Sequence, residues 1–403
     1  MMPRLLVATT VPSTLTAFLL PFAQHYRACG WRVDALTRDE PIDPETRAAF
    51  DHIWTLPWSR QPLNIAHFVG VPQRIRRIVE CEQYDIVHVH TSVAAFVTRY
   101  ALRGVRRCNG VCVIYTAHGF NFDRSVPWHA YLSFLALEKL ASRWMDYQVV
   151  INRTDELAAL RYRLAPRERV WYMPGIGIDL NRYAPDSTSE AEATAIRQSL
   201  GVASDAALVL MIAEFIPRKR HADALRAFAR LQRQDVHLVL AGDGPLLEPM
   251  RRLAIDLGIA DRTHFPGYRR DVPALLRAAT VLVLPSQQEG LPRSIMEAMA
   301  LGVPVIGSDI RGVRDLLAEG AGLLVPVGDI EGLAHAMRQI IDDRAAARAM
   351  AQCGQEQVKR YDLQRIFALH DQLYAAALSE RHTLAPDTER RTADVSHIRQ
   401  ART

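Results

Sequence analysis

Short apolar runs rich in β-branched residues recur along this chain, each followed by a segment with helical spacing, and that alternation most limits what it can fold into. The runs are RLLVATT, RVDALT, DIVHVHT, VCVIYTAH and YQVVIN in the first half, then LVLMIAE, VHLVLAGDG, THFPGY, VLVLPS, VPVIGSD and GLLVP. Between them, segments such as ADALRAFARLQRQ and LLEPMRRLAIDLG repeat apolar residues at helical intervals. Strands apolar on both faces and alternating with helices form parallel sheets covered on both sides. At 403 residues the chain exceeds one ordinary core. The pattern therefore predicts an α/β protein of two Rossmann-like domains. The break is expected within MPGIGIDLNRYAPDSTSEAEAT, residues 173–194, where Gly and Pro give way to a polar stretch. This divides the chain into 1–180 and 181–358, with a helix at about 360–378 and a polar tail, 379–403, expected to be disordered.

The net charge of +5 falls within the first 180 residues, the remainder being balanced. Runs such as RIRR (74–77) and RGVRR (103–107) suit a phosphate-bearing ligand or an anionic membrane surface, and equally a solvated helix face. No nucleic-acid recognition motif accompanies them, so nucleic acid is not an expected partner. Cys29, Cys81, Cys108, Cys112 and Cys353 are odd in number and scattered, which fits free thiols in a reducing compartment. No run approaches the ~20 apolar residues of a membrane span. A cytoplasmic protein is expected, with possible placement at the inner face of a membrane.

In open parallel sheets ligands sit beyond the carboxyl ends of the strands. VLVLPS is followed by Gln287, Gln288, Glu289, Gly290, Leu291 and Pro292, and then by a helix. Backbone N–H groups at such a helix start, with Gly290 allowing close approach, suit a phosphate. Glu289 would stand beside the anion, free to accept hydroxyl hydrogen bonds. Glu297 lies in an otherwise apolar helix, and burying an unpaired carboxylate costs several kcal/mol, so it should meet donors; ribose hydroxyls are suitable. A plain turn and a helix-surface acid fit the spacing equally well.

EGLPRSIME resembles the glutamate, seven residues, glutamate signature of the family-four retaining glycosyltransferases. LVLMIAEFIPRKRHADALRAFARL, VHLVLAGDGPLLEPMRRLAIDLG, HFPGYRRDVPALLRAA, GVPVIGSDIRGVRDLL, YDIVHVHTS and YTAHGF follow the same family's order over about residues 1–378. The resemblance implies the GT-B fold of two facing Rossmann-like domains, with a C-terminal helix crossing back to the first. It implies that Glu297 binds the donor ribose, that Glu289 contacts the transferred sugar, and that Lys219 neutralises the pyrophosphate beside Gly290 and Leu291. His118 would lie near the reacting centre, with His88 and His90 as acceptor-side or structural residues. Gly242 and Gly244 would line the nucleotide pocket, and Gly267, Tyr268 and Arg269 would lie near the base; Asp243 also reads as a helix cap. GIGID (175–179) resembles the hinge. The sequence departs at Glu214, where the family carries an arginine; Arg218 or Arg220 could supply that charge, or Glu214 could orient Lys219.

The expected activity is transfer of a sugar from a nucleotide diphosphate donor, UDP-linked for preference, to a hydroxyl of a glycan or polyprenyl-diphosphate-linked acceptor. No cofactor is expected, and the lack of an Asp-X-Asp motif predicts metal independence. The stretches 54–70 and 126–144 offer apolar surface for peripheral membrane contact, or else are core. A sugar-nucleotide epimerase of the same fold and a silent nucleotide-sugar scaffold are the alternatives.

Overall fold

The computed structural model describes residues 2–58, 70–106, 110–122 and 126–384. It divides into two compact units. One contains residues up to Val150, Glu156–Met173 and the chain from Phe367; the other contains Ile151–Asp155 and Pro174–Ile366. Each is built on a wholly parallel sheet.

The first sheet comprises β1 (Arg4–Ala8), β2 (Arg32–Arg38), β3 (His52–Leu56), β4 (Ile86–His90), β5 (Cys112–Ala117), β6 (Tyr147–Val150) and β7 (Val170–Tyr172). Its order is β3-β2-β1-β4-β5-β6-β7. The second comprises β8 (Ala207–Ile212), β9 (Val236–Ala241), β10 (Thr263–Gly267), β11 (Val281–Leu284), β12 (Val305–Ser308) and β13 (Leu323–Val325), in the order β10-β9-β8-β11-β12-β13. The central strands are buried along their whole length, as continuous apolar runs require when helices cover both faces. Strands β3 and β7 were not expected from the sequence. Both are edges, and their half-exposed patterns lack the apolar run that marks a central strand.

The C-terminal helix Leu363–Leu384 returns to the first sheet. Phe367 meets Phe22 edge-on at 5.1 Å, Asp371 accepts from the Tyr26 hydroxyl at 2.9 Å, and the Tyr374 hydroxyl reaches His88 Nδ1 at 2.7 Å. The helix also runs beyond the expected end at 378, so residues 379–384 are helical rather than a disordered tail. Ser-Glu-Arg-His is polar but contains no breaker, and the first proline is Pro386. The remainder of the expected tail, 385–403, lies outside the described residues.

Among the described residues no helix is long and apolar enough to cross a membrane. Cys29, Cys81, Cys112 and Cys353 are free thiols; Cys108 lies outside the described residues. The three arginines of the RIRR run are exposed on the helix Val71–Glu82 while Ile75 is buried beneath them, and Arg76 pairs with Glu80 at 2.8 Å.

Candidate functional site

In the second sheet the chain winds from β8 outward through β9 and β10, then restarts at β11 and winds the other way. The loops leaving β8 and β11 part to opposite sides of this switch, which is where open parallel sheets take ligands. They are tied together: the Gln287 N–H donates to the Arg218 carbonyl at 2.7 Å, and the Arg218 guanidinium donates to the Gln288 carbonyl at 3.3 Å. Lys219 Nζ donates to Glu289 Oε1 at 2.5 Å, and Arg218 lies 3.8 Å from Oε2. Glu289 is only 7% exposed. A pair so sheltered persists only because charge-assisted hydrogen bonding offsets the desolvation of both groups.

The geometry gives each of the residues considered around Glu214 a definite partner or place. Arg220 adopts a left-handed backbone, φ 55°, and its guanidinium pairs with Asp223 at 2.5 Å. Arg218 is the arginine that stands beside Glu289. Glu214 is exposed, and the acid that holds Lys219 is Glu289 instead.

The helix Arg293–Ala300 follows. Pro292 is its N-cap, with ψ 122°. No side-chain hydrogen bond caps this end, and a helix start of this kind suits an anion or water. Glu297, in the second turn, is 7% exposed and accepts from the Tyr183 hydroxyl at 2.8 Å; Arg293 lies 3.4 Å from the same Oε1. The buried acid therefore has donors within its own unit. Burial, then the Glu297 charge, push the Tyr183 phenol pKa up, so Tyr183 remains a donor. Tyr183 was missed because NRYAPDS reads as linker; a lone aromatic in a polar stretch was the only signal.

The glycines expected near the nucleotide have a structural reason of their own. A Cβ on Gly242 would lie 2.0 Å from the Ala213 carbonyl oxygen, and one on Gly244 would lie 2.8 Å from the Phe215 oxygen, so the loop after β9 packs directly on the backbone after β8. Asp243 accepts from the Gly244 N–H at 2.7 Å, and the next helix is capped by no side chain, so the helix-cap reading of Asp243 does not hold. Gly312, which the sequence reading did not single out, has φ +75°, and a Cβ there would stand 1.8 Å from the Gly290 carbonyl oxygen. It sets how close β12's loop comes to Glu289, Gly290 and Leu291. Leu291 packs against the core of this unit. At the end of β10 the Gly267 carbonyl accepts from the Gly242 N–H at 2.9 Å; beyond it Arg269 forks onto Asp271, and Tyr268 is 72% exposed.

In the first unit, β4 and β5 run side by side, so His88, His90 and Thr116 share one face. His90 Nδ1 lies 3.0 Å from His118 Nε2, and His88 is held by Thr116 and Tyr374, each at 2.7 Å. Burial, and then His370, lower the His118 pKa to about 4; burial likewise drives His88 and His90 well down. These are neutral imidazoles at neutral pH, able to hydrogen-bond but carrying no charge. Among the described residues no group of three or more His, Cys, Asp or Glu could hold a metal ion.

Two family models match the two halves: "Glycosyl transferase 4-like domain" over residues 14–175 and "Glycosyl transferases group 1" over 192–357. The chain is a family-four-type glycosyltransferase of the GT-B fold. The "Putative glycosyltransferase EpsD" of Bacillus subtilis is 29% identical to this glycosyltransferase over 379 residues, covering 93% of it and 97% of the relative. The "UDP-Gal:alpha-D-GlcNAc-diphosphoundecaprenol alpha-1,3-galactosyltransferase" of Escherichia coli is 27% identical, covering 71% and 74%. The crystal structure of Anabaena Alr3699/HepE in complex with UDP superposes with a TM-score of 0.75 at 22% identity, over 94% of this glycosyltransferase and 100% of that chain. At that identity the structural likeness speaks to fold alone.

Proposed function

We propose that this glycosyltransferase uses a UDP-sugar and transfers the sugar, with retention and without a metal ion, to a hydroxyl of a lipid-linked or growing glycan. The observation that carries the reading is the convergence of Lys219, Glu289 and the uncapped start of the Arg293–Ala300 helix at the switch between β8 and β11. The UDP named for HepE and the UDP-galactose and diphosphoundecaprenol acceptor named for the E. coli relative support the choice of donor and acceptor class. The epimerase and scaffold readings gain no comparable support.

In this reading Lys219, Arg218 and the helix N–H groups neutralise the charge that grows on the departing diphosphate. Glu289 accepts from hydroxyls of the transferred sugar. Glu297 grips the ribose through Oε2, since Tyr183 commits Oε1. Tyr268 offers its exposed ring to the base, with Gly242, Gly244, Gly267 and Arg269 shaping the surrounding loops. The bond from the anomeric carbon to the phosphate oxygen breaks and one to the acceptor oxygen forms. The acceptor proton passes to the leaving phosphate, while neutral His118 hydrogen-bonds a sugar or acceptor hydroxyl. A thermal-shift and transfer screen of UDP, GDP and ADP sugars tests this: UDP-sugars should stabilise the fold and support transfer, and stabilisation by GDP-sugars alone would overturn the donor assignment. Tyr183→Phe should weaken UDP about 5-fold to 10-fold by loosening Glu297, about one hydrogen bond to a charged group, with less effect on 2′-deoxy-UDP; calorimetric titration of both reads it.

Peripheral membrane contact is part of the same proposal. Of the two stretches considered, 54–70 contributes core where described: Trp58 is buried and the Trp54 indole donates to Tyr84 at 3.0 Å, while 59–69 lies outside the described residues. The helix Trp128–Ala141 is different. Trp128, Leu132, Leu137 and Leu140 are exposed, Trp128 by 75%, with Lys139 and Arg143 exposed at its far end. The one acid in this stretch, Glu138, is tied to the buried Arg99 at 3.1 Å. An exposed apolar face bearing only positive free charge suits an anionic lipid surface. The protein should co-sediment with vesicles containing anionic phospholipid at low salt, and Trp128→Asp/Leu132→Asp should lose at least about tenfold of that binding. Failure of the wild type to bind such vesicles removes the membrane component.

A further inference from the structure

The Lys219–Glu289 pair has a consequence for the order in which ligands are held. Lys219 Nζ sits 2.5 Å from Glu289 Oε1, and the pair is sheltered, with side-chain exposures of 15% and 7%. A phosphate that uses Lys219 must therefore share that ammonium with a carboxylate already on it. It also brings its own negative charge close to Glu289 where little water screens the repulsion. We propose that Glu289 sets the preference of the site for sugar-nucleotide over bare nucleoside diphosphate, and so speeds release of the diphosphate product. The inference rests on the donor-site reading above.

The physical argument separates two ligands that carry the same phosphates. A sugar-nucleotide places hydroxyl donors against Glu289, which compensate the carboxylate for a weakened hold on Lys219. A nucleoside diphosphate has no such donors and adds a further negative charge in place of the sugar ester. Glu289 then has Lys219 as its sheltered partner and the more exposed Arg218 as its second, and competes with the phosphate for Lys219. Arg218, 3.8 Å from Glu289 Oε2 and 47% exposed on its side chain, is the nearest second cation and is too solvated to hold the diphosphate as firmly as a sheltered lysine. Departure of the sugar to the acceptor thus removes the donors that kept Glu289 satisfied, and the carboxylate reclaims Lys219. A single acid contacts the sugar before transfer and weakens the grip on the leaving group afterward.

The test uses UDP and UDP-glucose as probes, titrated calorimetrically into the full chain. Glu289→Gln keeps the shape and removes the charge. It should bind UDP about tenfold more tightly than wild type, the scale set by deleting one like charge a few ångströms from a phosphate in a poorly screened site. Its hold on UDP-glucose should change less, so that the ratio of the two dissociation constants falls. Stopped-flow displacement should show slower UDP release. Glu289→Asp, which keeps the charge but withdraws it by one methylene from Lys219, should lie between the two and serves if the glutamine variant does not fold. An unchanged or weaker UDP affinity in both variants overturns the proposal. Lys219→Met distinguishes that failure from a failure of the donor site itself: it should weaken UDP at least about tenfold, and if it leaves UDP affinity unaltered the diphosphate does not use Lys219 and the underlying reading falls too.

Discussion

Glu289→Ala is expected to lower kcat by about two to three orders of magnitude, the cost of removing one group that meets developing charge or a reacting sugar in a water-poor site. UDP affinity should not fall with it. Glu297→Ala should show the opposite division, with donor KM raised by about tenfold or more and kcat changed less, because a ribose contact is made alike in ground and transition states. The contrast follows from partners: Glu289 shares Lys219 at the switch between β8 and β11, whereas Glu297 is anchored through Tyr183 and Arg293 one helical turn away. Steady-state kinetics with a labelled UDP-sugar, beside calorimetry with UDP, reads both. Identical kinetics in wild type and both variants would end the assignment of this loop as the donor site.

Acid should unfold the first unit well before ordinary carboxylate titration begins. Burial lowers the pKa of His88, His90 and His118, the last to about 4, and lowers that of His221 in the second unit to about 4. In the unfolded chain each returns to about 6.5. Between those values the unfolded state binds protons that the folded state refuses, so stability is full above about pH 6.5 and falls as pH drops toward 4. Each histidine contributes a slope of about 1.4 kcal/mol per pH unit, so the three in the first unit together approach about 4 kcal/mol per unit. Against a net domain stability of about 5–15 kcal/mol, that is a large share. Scanning calorimetry should show a first transition falling by about 10 °C between pH 7.5 and 5.5, while the second unit, in which His221 is lowered to about 4 and the less buried His237 and His264 are lowered less strongly, moves less. A first transition unmoved over that range would mean that His88, His90 and His118 take up protons without unfolding.

Much of the fold was legible because a central parallel strand writes itself as a continuous apolar run. All eleven runs read from the sequence became strands; β3 and β7, at the edges, were missed because partial exposure erases that signature. The end of the C-terminal helix was misplaced because polarity was taken for disorder, although Ser379 onward carries no helix breaker before Pro386. Glu289, Lys219 and Glu297 were singled out through motif and position, and the structure pairs the first two with each other. Tyr183 and Gly312 were not, since each acts on a residue more than a hundred or about twenty positions distant, through contacts no local pattern records.

What the sequence determined by itself was the alternation of strand and helix, hence two parallel sheets, and the placing of chemistry-bearing residues just after their strands. Those are consequences of local period and burial, and they need no knowledge of which strand lies beside which. Only the tertiary structure decided the partners: that winding reverses between β8 and β11 and so brings Lys219 to Glu289, that Arg220 is spent on Asp223 while Arg218 is not, and that Glu297 answers to Tyr183. Ion pairs and hydrogen bonds depend on distances of a few ångströms between segments far apart in the chain, and strand order, not sequence spacing, sets those distances.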